Sequence, residues 1–289
     1  MRVLIGLLLL TGALAWSEKR VDIVYATVDG VALKLDLYLP AAAKAPLLVY
    51  VHGGAWRSGS KDRIPLGDLV GEGYAIASVG YRLSPVARFP AQIHDLKAAI
   101  RFLRASEKVY GYDARRIAIT GSSAGAHLAT LVGVTNGHRD LEGRLGEHLD
   151  QSSDVQAIVS FFGASNLLTI LSQSTERGVA MRAPALQLLL GGQPAENPVI
   201  AKLASPVFHV DARDPPLFLL HGDQDPQMPI EQSQEMQTKY REMGLPVQFE
   251  VVQGAGHGGA QFFDARRMRL VVEFLGKSLV NGPQGQRGH

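Results

Sequence analysis

Apolar and polar residues alternate, in part, over residues 21–27 and again over 33–39, with Asp29-Gly30 between them. Alternation with period two gives a strand one buried face, and Asp-Gly tolerates the positive φ angles of a tight turn. The pattern therefore predicts a β-hairpin. Further along, alternation gives way to short unbroken apolar runs bounded by Pro or Gly, at 47–51, 74–79, 116–120, 155–162, 217–221 and 247–252. Such runs suit strands covered on both faces, as in a parallel sheet. Between them lie helical patterns. Ile93, Leu96, Ile100 and Leu103 recur on one helical face, and 123–134, 230–243 and 261–279 read as further helices. Strands alternating with helices predict an α/β fold: a mostly parallel sheet of about eight strands flanked by helices, its first hairpin forming an antiparallel edge. The stretch 164–206 carries helical patches between the sixth and seventh strands and reads as an insertion over one end of the sheet.

Composition narrows this picture. A chain of 289 residues, 46% of them apolar, suits one large domain with a substantial core. The net charge is only +2, with no basic stripe, which argues against a nucleic-acid partner. There is no cysteine, so disulfides, thiolate catalysis and cysteine-based metal sites are excluded. No H-E-x-x-H or comparable ligand cluster appears, and no metal or organic cofactor is expected. At the N-terminus, Met1-Arg2 precedes an apolar run over 3–10 and the small residues of Ala13-Leu14-Ala15. This reads as a secretory signal, 1–15, cleaved after Ala15, and points to a secreted or periplasmic protein; a buried N-terminal strand is the plainer alternative. The run is too short for a stable membrane anchor. The domain then covers 16–280, and 281–289 reads as a flexible tail. Oligomeric state is left open.

Candidate chemistry gathers at strand ends. Gly121-Ser122-Ser123-Ala124-Gly125 matches G-x-S-x-G, directly after the strand 116–120 and directly before a helix. A strand–turn–helix of this kind presents a serine hydroxyl at the carboxyl edge of a sheet, and makes Ser123 the candidate nucleophile. Upstream, His52-Gly53-Gly54-Ala55-Trp56 follows the strand 47–51. Backbone amides in such a loop can stabilise an oxyanion, which nominates Gly54 and Ala55, with the Ala124 amide as third donor; Gly53 could replace Ala55. His52 reads as an organiser of the loop.

A serine hydroxyl needs a base. Among nine histidines, His257 sits best, in the glycine-rich loop 254–259 after the last strand. His127, His94 and His221 lie on predicted helices or at a strand end and read as structural. The acid that orients the base should follow the strand 217–221, where both Asp223 and Asp225 are in reach. Asp225 is the stronger candidate, with Asp223 capping the turn. The order Ser123, Asp225, His257 matches that of the α/β-hydrolases.

With these residues assembled, the chain resembles the esterase branch of the α/β-hydrolases with an HGG-[AYG]-W loop. That branch includes feruloyl and acetylxylan esterases, kynurenine-formamidase-like enzymes and relatives of hormone-sensitive lipase. The likeness rests on 52–56, Tyr81-Arg82-Leu83, 89–92, 121–125, 161–163, Ser205-Pro206, 221–225 and 254–257. It implies a small-molecule carboxylic ester as substrate and acyl transfer through Ser123. It also implies that 164–206 shapes the pocket and that Trp56 and Phe162 are substrate-binding wall residues, although core packing serves equally well for Phe162. Arylformamide cleavage is the second enzymatic expectation, and a non-catalytic binding module is the third. Two departures from the family pattern, Ala126 in place of a frequent glycine and Gly163-Ala164-Ser165 in place of a proline-containing turn, remove no catalytic group.

Overall fold

A computed structural model describes residues 17–280; the expected signal segment 1–15 and the tail 281–289 lie outside the described residues. The strands are β1 (Glu18–Val28), β2 (Val31–Leu39), β3 (Pro46–Val51), β4 (Ala75–Val79), β5 (Asp113–Ser122), β6 (Ala157–Phe161), β7 (Leu217–Gly222) and β8 (Val247–Val252). They form one sheet in the order β1-β2-β4-β3-β5-β6-β7-β8. β1 and β2 pair antiparallel, as do β2 and β4, while every later pair is parallel. This is the α/β-hydrolase fold.

The hairpin shows why alternation was only partial in the sequence. The β1–β2 register slips between Arg20 and Ile23 and again between Val24 and Ala26, and Asp22 has a φ of 55°. Each slip is a bulge that flips the side-chain phase.

The helices are α1 (Ala91–Ala105), α2 (Glu107–Tyr110), α3 (Ala124–Gly133), α4 (Arg139–Glu142), α5 (Ile170–Gln173), α6 (Glu176–Leu190), α7 (Pro198–Leu203), α8 (Glu231–Glu242) and α9 (Ala265–Val280). They split the core in two. Val49 and Val51 of β3 join the layer under α1, α3 and α8, while Leu48 and Tyr50 join the layer under α9. Ile93, Leu96, Ile100 and Leu103 of α1 are all fully buried, as their spacing requires. The last helix starts at Ala265 rather than 261. Residues 260–263 form a short 3-10 turn, and the Asp264 carboxylate accepts the Arg267 amide at 2.8 Å, an N-cap that sets the start. Between β6 and β7 the chain runs through α5, α6 and α7. Among the described residues no helix is long and apolar enough to cross a membrane.

The C-terminal end of α3 carries a buried charged cluster. Lys97 donates to the Thr135 carbonyl at 2.6 Å and to Glu142 at 3.1 Å. Arg101 bonds the Glu142 carboxylate, the Glu142 carbonyl and the Leu145 carbonyl, and Ser153 donates to Glu142 at 2.8 Å.

Candidate active site

Ser123 lies between β5 and α3 with φ 55° and ψ −120°, a conformation rare for a residue with a side chain. It is held by its amide, which donates to the Phe161 carbonyl at 2.9 Å. The flanking glycines make the turn possible. A Cβ on Gly121 would fall 2.4 Å from the Gly125 carbonyl carbon, and one on Gly125 would fall 2.1 Å from the Val51 carbonyl oxygen. Only a bare backbone fits at either position.

His257 and Asp225 reach this serine from the loops after β8 and β7. Ser123 Oγ is 2.8 Å from His257 Nε2, and His257 Nδ1 is 2.7 Å from Asp225 Oδ2. A carboxylate can only accept, so Nδ1 carries the proton and Nε2 is left to accept from the serine. Asp225 is itself fixed, its Oδ1 accepting the Gln227 and Met228 amides at 2.8 Å each. Burial alone pushes the Asp225 carboxyl up. Hydrogen bonds from His221 and His257, with the His257 charge, outweigh that and hold it well below the usual carboxylate range. Asp223 stands apart from His257: it accepts the Gly254 amide at 2.7 Å and braces the β7 turn against the β8 turn. His221 lies beneath the site, between Ser233 Oγ at 2.7 Å and the Met228 carbonyl at 3.0 Å.

The loop after β3 backs onto the serine. A Cβ on Gly53 would lie 2.7 Å from the Ser122 carbonyl oxygen. Gly54, Ala55 and Trp56 have consecutive φ values of 114°, 52° and 59°, a curl that turns successive amides toward one side. Among the described residues the Gly54, Ala55 and Ala124 amides have no acceptor within the protein. Behind the loop, the His52 ring stacks on Tyr81 at 4.4 Å and donates to the Gly53 carbonyl at 2.8 Å, while the Tyr81 hydroxyl donates to the His52 carbonyl.

Trp56 corrects an expectation. It is fully buried and absent from the pocket walls, because the left-handed curl turns its side chain inward. Its Nε1 donates to His127 Nδ1 at 3.0 Å, and His127 Nε2 donates to the Ala204 carbonyl at 2.7 Å. Trp56 thus ties the β3 loop to α3 and to the end of the β6–β7 segment. Phe162 lines the cavity and packs edge-on against His257 and Phe262.

A cavity of about 520 Å³ opens in front of Ser123, its walls including His257, Phe162, Phe263, Met181 and Arg182. The last two come from α6, in the inserted segment. The sequence reading passed over Arg182, which is only 5% exposed. The available signal was positional: Arg182 shares the helical stripe of Ala185, Leu186 and Leu189, all buried. Burial pushes its guanidinium down to about 10, against the opposing pull of Asp225.

Comparison with known proteins supplies the lineage. The BD-FAE family model matches residues 35–240. The esterase LipQ of Mycobacterium tuberculosis is 34% identical over 250 residues, covering 82% of this chain and 56% of LipQ. The chain thus spans about half the length of that curated relative. Among solved structures, a truncated carbohydrate esterase from gut microbiota superposes with a TM-score of 0.85 at 31% identity, covering 93% of this chain and 98% of the other. Propionate-bound Est2, an esterase of Thermogutta terrifontis, gives 0.73 at 27% identity, covering 89% and 93%. With the family model matched from the second strand to the helix before the last, on a fold shared with solved esterases, the chain belongs to the BD-FAE family of α/β-hydrolases.

Proposed function

We propose that the protein is a serine carboxylesterase acting on short-acyl or aryl esters through an acyl-enzyme. The observation that carries this is one continuous hydrogen-bond chain, Ser123 to His257 to Asp225, ending beside three unengaged backbone amides. In the first step His257 Nε2 takes the Ser123 proton as Oγ attacks the ester carbonyl. The Gly54, Ala55 and Ala124 amides receive the oxyanion, and Asp225 stabilises the imidazolium. His257 then gives the proton to the leaving alcohol as the C–O bond breaks. In the second half, water loses a proton to the same nitrogen, attacks the acyl-enzyme, and releases the acid with Ser123 regenerated. The aromatic walls of Phe162 and Phe263 favour a small apolar acyl group, and the capture of propionate by the Thermogutta esterase is consistent with one.

Labelling with a fluorophosphonate followed by peptide mass mapping tests the nucleophile, together with turnover of 4-nitrophenyl esters from acetyl to decanoyl. The label is expected on Ser123 and the fastest turnover at two to four acyl carbons. Ser123→Ala is expected to lower kcat/KM by at least about 10⁴-fold. Unchanged turnover in that variant, with the label on another residue, would sink the reading.

A further inference from the structure

The catalytic cavity holds a charge that ester hydrolysis itself does not use. Arg182 Nε is tied to the Gln227 carbonyl, which docks α6 on the loop that carries Asp225. Among the described residues its two terminal nitrogens have no acceptor within the protein. Neither terminal nitrogen is sealed from the cavity that Arg182 lines, so their four N–H bonds are open to an acceptor that enters it. Among the described residues the walls hold a second guanidinium, the exposed Arg57, and no aspartate or glutamate. The carboxylate among the described residues whose charge acts on Arg182 is Asp225. Asp225 is already occupied by two backbone amides and by His257.

We propose that Arg182 makes this pocket selective for esters that carry a free carboxylate, which its terminal nitrogens bind as a planar fork. This rests on the ester-hydrolase reading above and adds a substrate class to it. A carboxylate matches the guanidinium in shape and charge, accepts two parallel hydrogen bonds, and supplies the anion the walls lack. A sugar hydroxyl would bring no charge and no planar pair of acceptor oxygens. The position is preset, since Gln227 fixes the inner end of the guanidinium. Ala185, three residues on and also in the wall, leaves room beside it. The carboxylate can sit on either side of the scissile bond, as in a half-ester of a dicarboxylic acid or in an ester of a hydroxy acid.

Two matched pairs test this in the full-length enzyme. 4-Nitrophenyl hemisuccinate against its methyl-capped diester places the anion on the acyl side. 4-Acetoxybenzoate against methyl 4-acetoxybenzoate places it on the alcohol side. Wild type is expected to prefer the acid by about tenfold or more in kcat/KM in one pair, the size of a charged hydrogen bond. That preference should vanish in Arg182→Met, survive in large part in Arg182→Lys, and shrink in 0.5 M salt. If Arg182 were only a brace for α6, Arg182→Met would slow acid and ester alike and leave the ratio intact. That result, the absence of any preference in wild type, or a preference removed by Arg57→Ala instead would overturn the proposal. The wild-type ratio decides even if Arg182→Met does not fold. Ser123→Ala separates the two claims, since its continued hydrolysis of both members of a pair would fail the ester-hydrolase reading and not the ratio.

Discussion

The two ends of α3 both bury polar groups, and to different purpose. At the N-terminal end, the Ala124 amide and the two loop amides have no acceptor among the described residues, and the Ser123–His257–Asp225 chain faces an open cavity. At the C-terminal end, Lys97 and Arg101 are almost completely buried, yet three of their four nitrogens are bonded to Glu142 or to backbone carbonyls, and among the described residues Arg101 Nε has no partner. Both ends follow the helix dipole, with donors for an incoming anion at one and a cation on the Thr135 carbonyl at the other. Buried charge is therefore no sign of chemistry by itself. What separates the two ends is where the donors point: one set is bonded to Glu142 and to backbone carbonyls, the other faces an open cavity.

That contrast can be broken by experiment. The largest effect is expected from Asp225→Asn. The amide oxygen can still accept from Gln227 and Met228, but its NH₂ donates to His257 Nδ1, forces the proton onto Nε2, and leaves Ser123 without a base. Activity should fall about 10⁴-fold with a small change in melting temperature. Glu142→Gln should do the reverse. It strands two buried cations, so denaturant unfolding should show a loss of about 3 kcal/mol, while kcat/KM per folded molecule stays within about twofold. A large activity loss there, or a large stability loss at Asp225, would erase the distinction.

The smallest effect sharpens the comparison in the middle of the helix. Burial pushes His127 from 6.5 to about 4. Between those values the unfolded chain binds the proton and the folded protein does not, so its contribution is complete above pH 6.5 and is lost as pH falls toward 4. The difference in unfolding free energy between wild type and His127→Gln should shrink by about 2 kcal/mol from pH 7.5 to pH 5. The difference is the quantity to measure. Asp214, pushed up to about 7 by burial, acts with the opposite sign in both proteins and cancels. A difference that does not change with pH would mean that His127 is not held neutral between Trp56 and Ala204.

The sheet and the three residues now placed in one hydrogen-bond chain were legible because each follows a strand. Strand ends are marked by where an apolar run meets glycine, and the parallel topology collects those ends on one edge. Trp56 was not legible in this way. Its direction depends on positive φ at Ala55 and Trp56, which side-chain type does not announce. Arg182 lay hidden for another reason. It belongs to an inserted helix whose position over the sheet depends on packing between distant segments, and one arginine in an apolar stripe weakens the very pattern that locates a helix. The start of α9 was displaced by a cap, a local competition that periodicity does not register.

The separation of the hydrogen-bonded partners along the chain has a consequence for biosynthesis. His257 follows Ser123 by 134 residues and stands after the edge strand β8. A nascent chain that has emerged through α3 carries Ser123 and all three amides, Gly54, Ala55 and Ala124, but no base and no acid. Under the proposed mechanism the enzyme is silent throughout most of its own translation and becomes active only when β8 docks beside β7. An organophosphorus label that needs the assembled chain would then count finished molecules, and its rate of uptake during synthesis would time the closing of the sheet.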